Sequence, residues 1–294
     1  MIAACWHRLI SLEERNMQHV EFGFHTADGL SLFAQEWQPD GDTRAVVCLV
    51  HGLGEHSGRY PHVAAALTQA GYAFLAPDLR GHGRSKGKRG YAPSWDSLLD
   101  DTAQLLVQAA ERFPGLPRFL YGHSLGGTLV LTYGLRRNPN PRGVIATGPL
   151  LRPAFTPPRW KVTLGRLLYG LWPTFSLNNE LDRKGLSRDS DVVDAYVNDP
   201  LVHDLLSARL GLDMLEAGEW VLEHAAELSV PLLLMQGSDD RLCSVQAGRE
   251  FADRATALCT YKCWSGLYHE IHNEPEQQQV FETMIAWLDD QILD

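Results

Sequence analysis

A chain of 294 residues, 45% apolar and 21% charged, has the composition of a soluble globular protein and can bury a sizeable core without disulfides or a structural metal. Its formal net charge of −10 argues against a nucleic-acid partner, and no run reaches the ~20 apolar residues of a membrane span. The cysteines Cys5, Cys48, Cys243, Cys259 and Cys263 are odd in number and scattered, which excludes a disulfide framework and a zinc set and points to a reducing, cytoplasmic setting.

Residues 1–18 read as an N-terminal tail; they lack the apolar centre of a signal peptide and carry no functional assignment. Residues 19–25 and 31–38 then form an edge hairpin about Asp28-Gly29. The run "RAVVCLV" (44–50) is a buried parallel strand ending at His51-Gly52. A helix over 61–70 is closed by Gly71, and "YAFLAPD" (72–78) is the next strand. Helix 95–112 has Ser94 as its N-cap. Strand 118–122 runs directly into a helix over 125–137, and 142–148 is again a strand. After an interruption come strand 230–237, helix 245–254, strand 258–264 and helix 276–292. This alternation predicts an α/β fold with a mostly parallel central sheet flanked by helices. The core comprises 19–150 and 230–294, and the interruption, 151–229, is expected to fold as a helical cap over the C-terminal ends of the strands.

The segment Gly122-His123-Ser124-Leu125-Gly126 fits G-x-S-x-G between a strand and a helix, the context that motif requires. A tight turn there pushes a serine hydroxyl out of the sheet, and side chains at Gly122 or Gly126 would collide with the neighbouring strand and helix. A serine needs a base, and the base needs an orienting acid. On this strand–turn–helix arrangement the chain order is Ser, then Asp or Glu, then His. Of twelve histidines, only His269 and His272 follow a late strand-end carboxylate, and Asp239 and Asp240 both follow the strand "PLLLMQG". Spacing alone chooses neither between the two acids nor between the two histidines. Two backbone N–H groups for an oxyanion are expected from Leu125 and from Leu53, in the Gly-rich loop "HGLGEHSGRY". His51 and His56 in that loop read as scaffold, as do Asp78 and the glycines of "DLRGHGRS".

Together "HGLGEHSGRY", "DLRGHGRS", "GHSLGG", "QGSDDRLC", "YHEIH" and the cap stretch "YVNDPL" resemble the monoacylglycerol lipase and lysophospholipase branch of the α/β-hydrolases, over roughly residues 19–290. The resemblance implies the α/β-hydrolase fold, a triad of Ser124, Asp240 and His269, and a polar head-group site of Glu55, Arg59, Tyr196 and His272. It implies a serine hydrolase acting on a lipid ester, first a monoacylglycerol, otherwise a lysophospholipid or a short-chain ester, with no metal or organic cofactor. Ser124 argues against the dehalogenase and epoxide hydrolase relatives, whose nucleophile is Asp. A non-catalytic lipid-binding α/β-hydrolase is the rival from another class; such proteins usually lose a triad residue.

Residues 150–178 hold Arg152, Arg159, Lys161 and Arg166 and no acid, inside an otherwise acidic chain. Trp160, Leu164, Leu167, Leu168, Leu171 and Trp172 fall largely on one helical face. Such a segment suits transient contact with a membrane surface, or lines an acyl tunnel, and places the protein in the cytoplasm with peripheral membrane contact. Cys243, three residues after Asp240, reads as a small buried residue.

Overall fold

A computed structural model describes residues 17–137, 141–156, 158–255 and 257–293; most of the N-terminal tail, residues 1–16, lies outside the described residues, as does Cys5. The strands are β1 (Met17–His25), β2 (Ser31–Pro39), β3 (Ala45–Val50), β4 (Tyr72–Pro77), β5 (Arg118–His123), β6 (Gly143–Thr147), β7 (Ser176–Asn178), β8 (Leu205–Ser207), β9 (Leu232–Gly237) and β10 (Cys259–Trp264). The helices are α1 (Pro61–Gln69), α2 (Trp95–Arg112), α3 (Leu125–Arg136), α4 (Arg159–Leu171), α5 (Ser190–Asn198), α6 (Ala208–Glu223), α7 (Val245–Arg254) and α8 (Gln277–Leu293).

One eight-stranded sheet carries the fold, in the order β1-β2-β4-β3-β5-β6-β9-β10. The β1–β2 hairpin is antiparallel, β2 meets β4 antiparallel, and every pairing from β4 to β10 is parallel. The central strands are apolar along their whole length because both faces are covered. In β3, Val46, Cys48 and Val50 face one layer while Ala45, Val47 and Leu49 face the other. The first layer is α2, α3, α6 and α7; the second is α1 and α8. Local chemistry sets the helix ends. Pro61 opens α1, where a missing N–H costs nothing, and Gly71 turns the chain at φ 85° beyond its end. Ser94 caps α2 through a reciprocal pair of bonds with Ser97.

The stretch between β6 and β9 holds α4, α5 and α6 and also the short antiparallel pair β7–β8, which the sequence reading did not foresee. Two three-residue strands far apart in sequence carry too little alternation to be seen. Within this stretch α6 packs on the sheet's first layer, burying Leu210, Met214, Val221 and Leu222. Among the described residues, no helix is long and apolar enough to cross a membrane.

The topology locates the site. From β3 the chain passes through α1 to β4 on one side; from β4 it returns through α2 to β5 on the other. The loops leaving β3 and β5 therefore diverge at the strands' C-terminal ends, the usual ligand position in such sheets.

Candidate active site

Ser124 stands between β5 and α3 with φ 55° and ψ −115°, a strained conformation for a residue with a side chain. Its neighbours impose it. A Cβ on Gly122 would lie 2.2 Å from the Gly126 carbonyl oxygen in α3, and one on Gly126 would lie 1.8 Å from the Val50 oxygen of β3. Only glycines at both positions let strand and helix close this tightly around the turn. The Ser124 N–H donates to Thr147 O at 3.0 Å and its carbonyl accepts from Leu150 N at 3.2 Å, so the turn is anchored to β6 and the chain beyond it.

His269 Nδ1 donates to Asp240 Oδ2 at 2.8 Å. The other carboxylate oxygen accepts the Leu242 and Cys243 backbone N–H groups, each at 2.9 Å, at the turn into α7. Asp239 points elsewhere: its carboxylate accepts from the exposed Ser238 hydroxyl. The loop after β6 admits the pair because Gly148 has no side chain. The Asp240 carboxylate, the Cys243 thiol and a His269 ring nitrogen lie within 4.8 Å of one another. Burial disfavours ionised Asp240, but the His269 charge, the bond to its ring and the two backbone donors outweigh it and hold the carboxyl below its usual value. Burial likewise disfavours protonated His269, yet Asp240 more than compensates, with Glu270 and Glu55 adding, and the imidazole's pKa is raised. Burial, then Asp240, push the Cys243 thiol well up, so it stays protonated.

The Leu53 loop runs beside the serine: a Cβ on Gly52 would stand 3.3 Å from Ser124 Cβ. Leu125 is the first residue of α3, where backbone N–H groups and the helix dipole point outward. His51 braces the loop by donating from Nδ1 to Gly52 O while its Nε2 accepts from Leu79 N. Asp78 accepts from Ser57 N and Oγ and from Arg84 N, which ties the two Gly-rich loops together.

Glu55, Arg59 and His272 lie inside the protein, each 1% exposed or less. Arg59 Nη1 bonds Glu55 Oε2 at 2.6 Å, and the guanidinium grips the Glu270 carboxylate with two bonds of 2.8 Å. Glu55 Oε1 accepts from Gly52 N and the Tyr60 hydroxyl. The Tyr196 ring, on α5, lies under the guanidinium at 4.7 Å, so the stretch between β6 and β9 reaches this group too. A second tie to that stretch runs from His56 Nε2 to Asp199 at 3.0 Å. His272 packs between Tyr60, stacked at 5.0 Å, and His123, edge-on at 4.7 Å, and among the described residues neither of its ring nitrogens has a hydrogen-bond partner. His123 also contacts the His269 ring at 4.7 Å. Burial, then the neighbouring His123, drive the His272 pKa well down, so the ring is neutral. The four residues assigned to the head group thus form one polar wall whose charges face each other. Sequence reasoning missed Glu270, the partner that closes this wall; its only signal was its place directly after His269 in "YHEIH".

A model of the family described as serine aminopeptidase, S33, matches residues 41–276. A monoacylglycerol lipase of Mycolicibacterium smegmatis is 37% identical over 91% of this chain and 96% of its own length. The chain belongs to the monoacylglycerol lipase branch of the α/β-hydrolases. An uncharacterised abhydrolase domain-containing protein of Dictyostelium discoideum is 38% identical over 91% of this chain, which spans only 28% of that relative's length. In three dimensions the crystal structure of the Paleococcus ferrophilus monoacylglycerol lipase matches with a TM-score of 0.80 and 33% identity, covering 93% of this chain and 99% of the other. As a member of the monoacylglycerol lipase branch, the chain is a carboxylic ester hydrolase.

Proposed function

We propose that the chain hydrolyses a monoacylglycerol to glycerol and a free fatty acid through an acyl-enzyme. The observation that carries this reading is the 2.8 Å bond from His269 Nδ1 to Asp240 beside a serine held at φ 55°. That bond commits the Nδ1 proton and leaves Nε2 as the base. Ser124 Oγ attacks the ester carbonyl carbon while Nε2 takes its proton. The oxyanion accepts from the Leu53 and Leu125 N–H groups. The ester C–O bond breaks and His269 returns the proton to the departing glycerol oxygen. Water repeats the cycle on the acyl-serine and releases the acid. Asp240 stays ionised throughout and stabilises the imidazolium.

The substrate class is supported by the names of the Mycolicibacterium smegmatis and Paleococcus ferrophilus relatives, both monoacylglycerol lipases. It is supported also by the wall of Glu55, Arg59, Tyr196 and His272. Once Glu55, Arg59 and Glu270 have satisfied one another, the His272 ring nitrogens and Arg59 Nε keep hydrogen-bonding capacity for a polyol. We further propose that the cap meets a lipid surface. Trp160, Leu167, Leu171 and Trp172 are 65, 57, 76 and 57% exposed, and Lys161 lies beside Trp160 on the same helix.

Fatty-acid release is to be measured from a monoacylglycerol, a triacylglycerol, a lysophosphatidylcholine and a p-nitrophenyl ester, with wild type, Ser124→Ala and His272→Ala. The expected result is monoacylglycerol cleaved best, all activity lost in Ser124→Ala, and the monoacylglycerol preference alone lost in His272→Ala. An active, folded Ser124→Ala protein sinks the nucleophile. A wild type that favours lysophospholipid or the artificial ester sinks the glycerol site and leaves the triad.

A further inference from the structure

Two loops that must cooperate in ester hydrolysis are joined through the protein interior. One carries Leu53 and the other His269. The connection runs from Gly52 N to Glu55 Oε1 at 2.6 Å, from Glu55 Oε2 to Arg59 at 2.6 Å, and from Arg59 to both oxygens of Glu270 at 2.8 Å. Gly52 precedes Leu53 and Glu270 follows His269, so each end lies one residue from a reacting group. Glu270 Oε2 also accepts from Asn273 Nδ2 at 2.7 Å, which fixes the carboxylate from its other side. We propose that Glu270 is a positioning residue for the reaction: held by Arg59, it locks the His269 loop to the oxyanion loop and leaves a net negative charge beside the imidazole.

The charge balance supports the second half. Burial opposes ionisation of Glu270, but the Arg59 charge and hydrogen bonds outweigh it and its carboxyl stays well below the ordinary value. Glu55 is likewise held down against burial by Arg59. Two carboxylates therefore share one guanidinium, and one negative charge is left over among buried groups. Burying an uncompensated charge is costly, and nothing in packing demands it. It becomes useful where a positive charge forms next door, as on His269 in the transition state. The groups bearing on His269 are Asp240 and Cys243 from the turn into α7, His123 from the end of β5, Glu55 from the oxyanion loop and Glu270 from its own loop, with Arg59 bringing the opposing charge through its bonds to Glu55 and Glu270. The buried His123 and His272 are neutral, so Asp240 and the Glu55–Arg59–Glu270 group set the field at the imidazole.

This rests on His269 being the base, and the test separates the two. The pH dependence of kcat and kcat/KM on a soluble p-nitrophenyl ester is to be compared for wild type, Glu270→Gln, Glu270→Asp and Ser124→Ala. Glu270→Gln removes the negative charge, so His269 protonates less readily and the acid limb of kcat/KM moves to lower pH by about half a unit or more. Its kcat falls by about tenfold or more with KM little changed, because the imidazole and oxyanion donors lose their mutual alignment. Glu270→Asp keeps the charge but shortens the reach to Arg59: the limb stays and kcat falls. A Gln variant with an unmoved limb, whether active or slowed, overturns the proposal. If the Gln variant does not fold, Glu270→Asp decides: wild-type kcat or a moved limb overturns the proposal, and a lowered kcat on an unmoved limb supports it. An active Ser124→Ala protein removes the catalytic reading itself, and this inference with it.

Discussion

Gly148 lies tight against the ring of His269: a Cβ on Gly148 would stand 3.1 Å from His269 Nδ1 and 3.3 Å from Asp240 Oδ2, closer than either would sit at ease. The glycine also turns the chain at φ 50°, in the left-handed region. Gly148→Ala therefore strains the backbone by about 1–2 kcal/mol and presses a methyl group onto the bond that orients the imidazole. The expected outcome is a small fall in melting temperature and a kcat lower by about tenfold or more, with KM little changed. Steady-state kinetics beside a thermal melt checks it; an unaltered kcat would show that the pair tolerates the displacement.

Gly126 is a stricter case. Its Cβ would meet three backbone atoms, Val50 O at 1.8 Å, Val50 C at 2.5 Å and His51 O at 2.6 Å. Backbone in a central strand does not yield as a flexible side-chain end does. Gly126→Ala is expected to cost more than about 4 kcal/mol, at the extreme of single substitutions. Urea unfolding of the soluble fraction measures it, and a loss below about 1 kcal/mol would mean that α3 slides freely on β3.

The exposed face of α4 predicts interfacial behaviour. Replacing Leu171 and Trp172 together by Glu removes two side chains worth roughly 1.5–3 kcal/mol each when fully buried, and adds repulsion from an anionic surface. Binding to anionic phospholipid vesicles should weaken by about tenfold or more. Hydrolysis of vesicle-borne monoacylglycerol should fall with it, while that of a soluble ester is retained. Vesicle co-sedimentation reads the first effect; equal binding by the variant would leave the patch without a lipid role.

Acid should unfold this protein through its interior histidines. Burial lowers His62 and His123 from 6.5 to about 4. Above pH 6.5 both rings are neutral, folded or unfolded, and contribute no pH dependence. Between pH 6.5 and 4 the unfolded chain takes up protons that the folded chain refuses, so stability falls with pH. At about 1.4 kcal/mol per unit, each ring costs on the order of 3 kcal/mol by pH 4. His269 acts in the opposite sense, since its raised pKa stabilises the fold at low pH and that contribution is lost as pH rises through the raised value. Chemical unfolding at pH 7.5 and 4.5 should show the histidine loss, and His62→Gln should reduce it. Equal stability at the two pH values would mean that these rings are reached by water.

The regular elements were legible because their signals are local. An apolar run such as "AVVCLV" marks a strand covered on both faces, and Ser94 and Gly71 mark helix ends by hydrogen-bonding capacity and backbone freedom. G-x-S-x-G was readable for a related reason: each glycine answers one close backbone approach. The pair β7–β8 was not legible, since three residues carry no period and the partners are far apart in the chain. Nor does spacing distinguish Asp239 from Asp240. Both follow the same strand, and it is the course of the turn that directs one carboxylate to His269 and the other to Ser238.

By itself the sequence determined the α/β alternation, the tight serine turn and the chain order of a serine, a strand-end carboxylate and a histidine, because each depends on neighbouring residues or a short repeat. Only the tertiary structure decided which charges neutralise one another. Glu55 and Arg59 read along the chain, with Tyr196 and His272, as a polar end for a ligand, but the fold brings Arg59 within 2.8 Å of Glu270, some two hundred positions away, and buries both. It likewise turned the apolar face of α4 outward. Burial and charge pairing are properties of the assembled core, where the cost of a lone charge is set by what the rest of the chain places beside it.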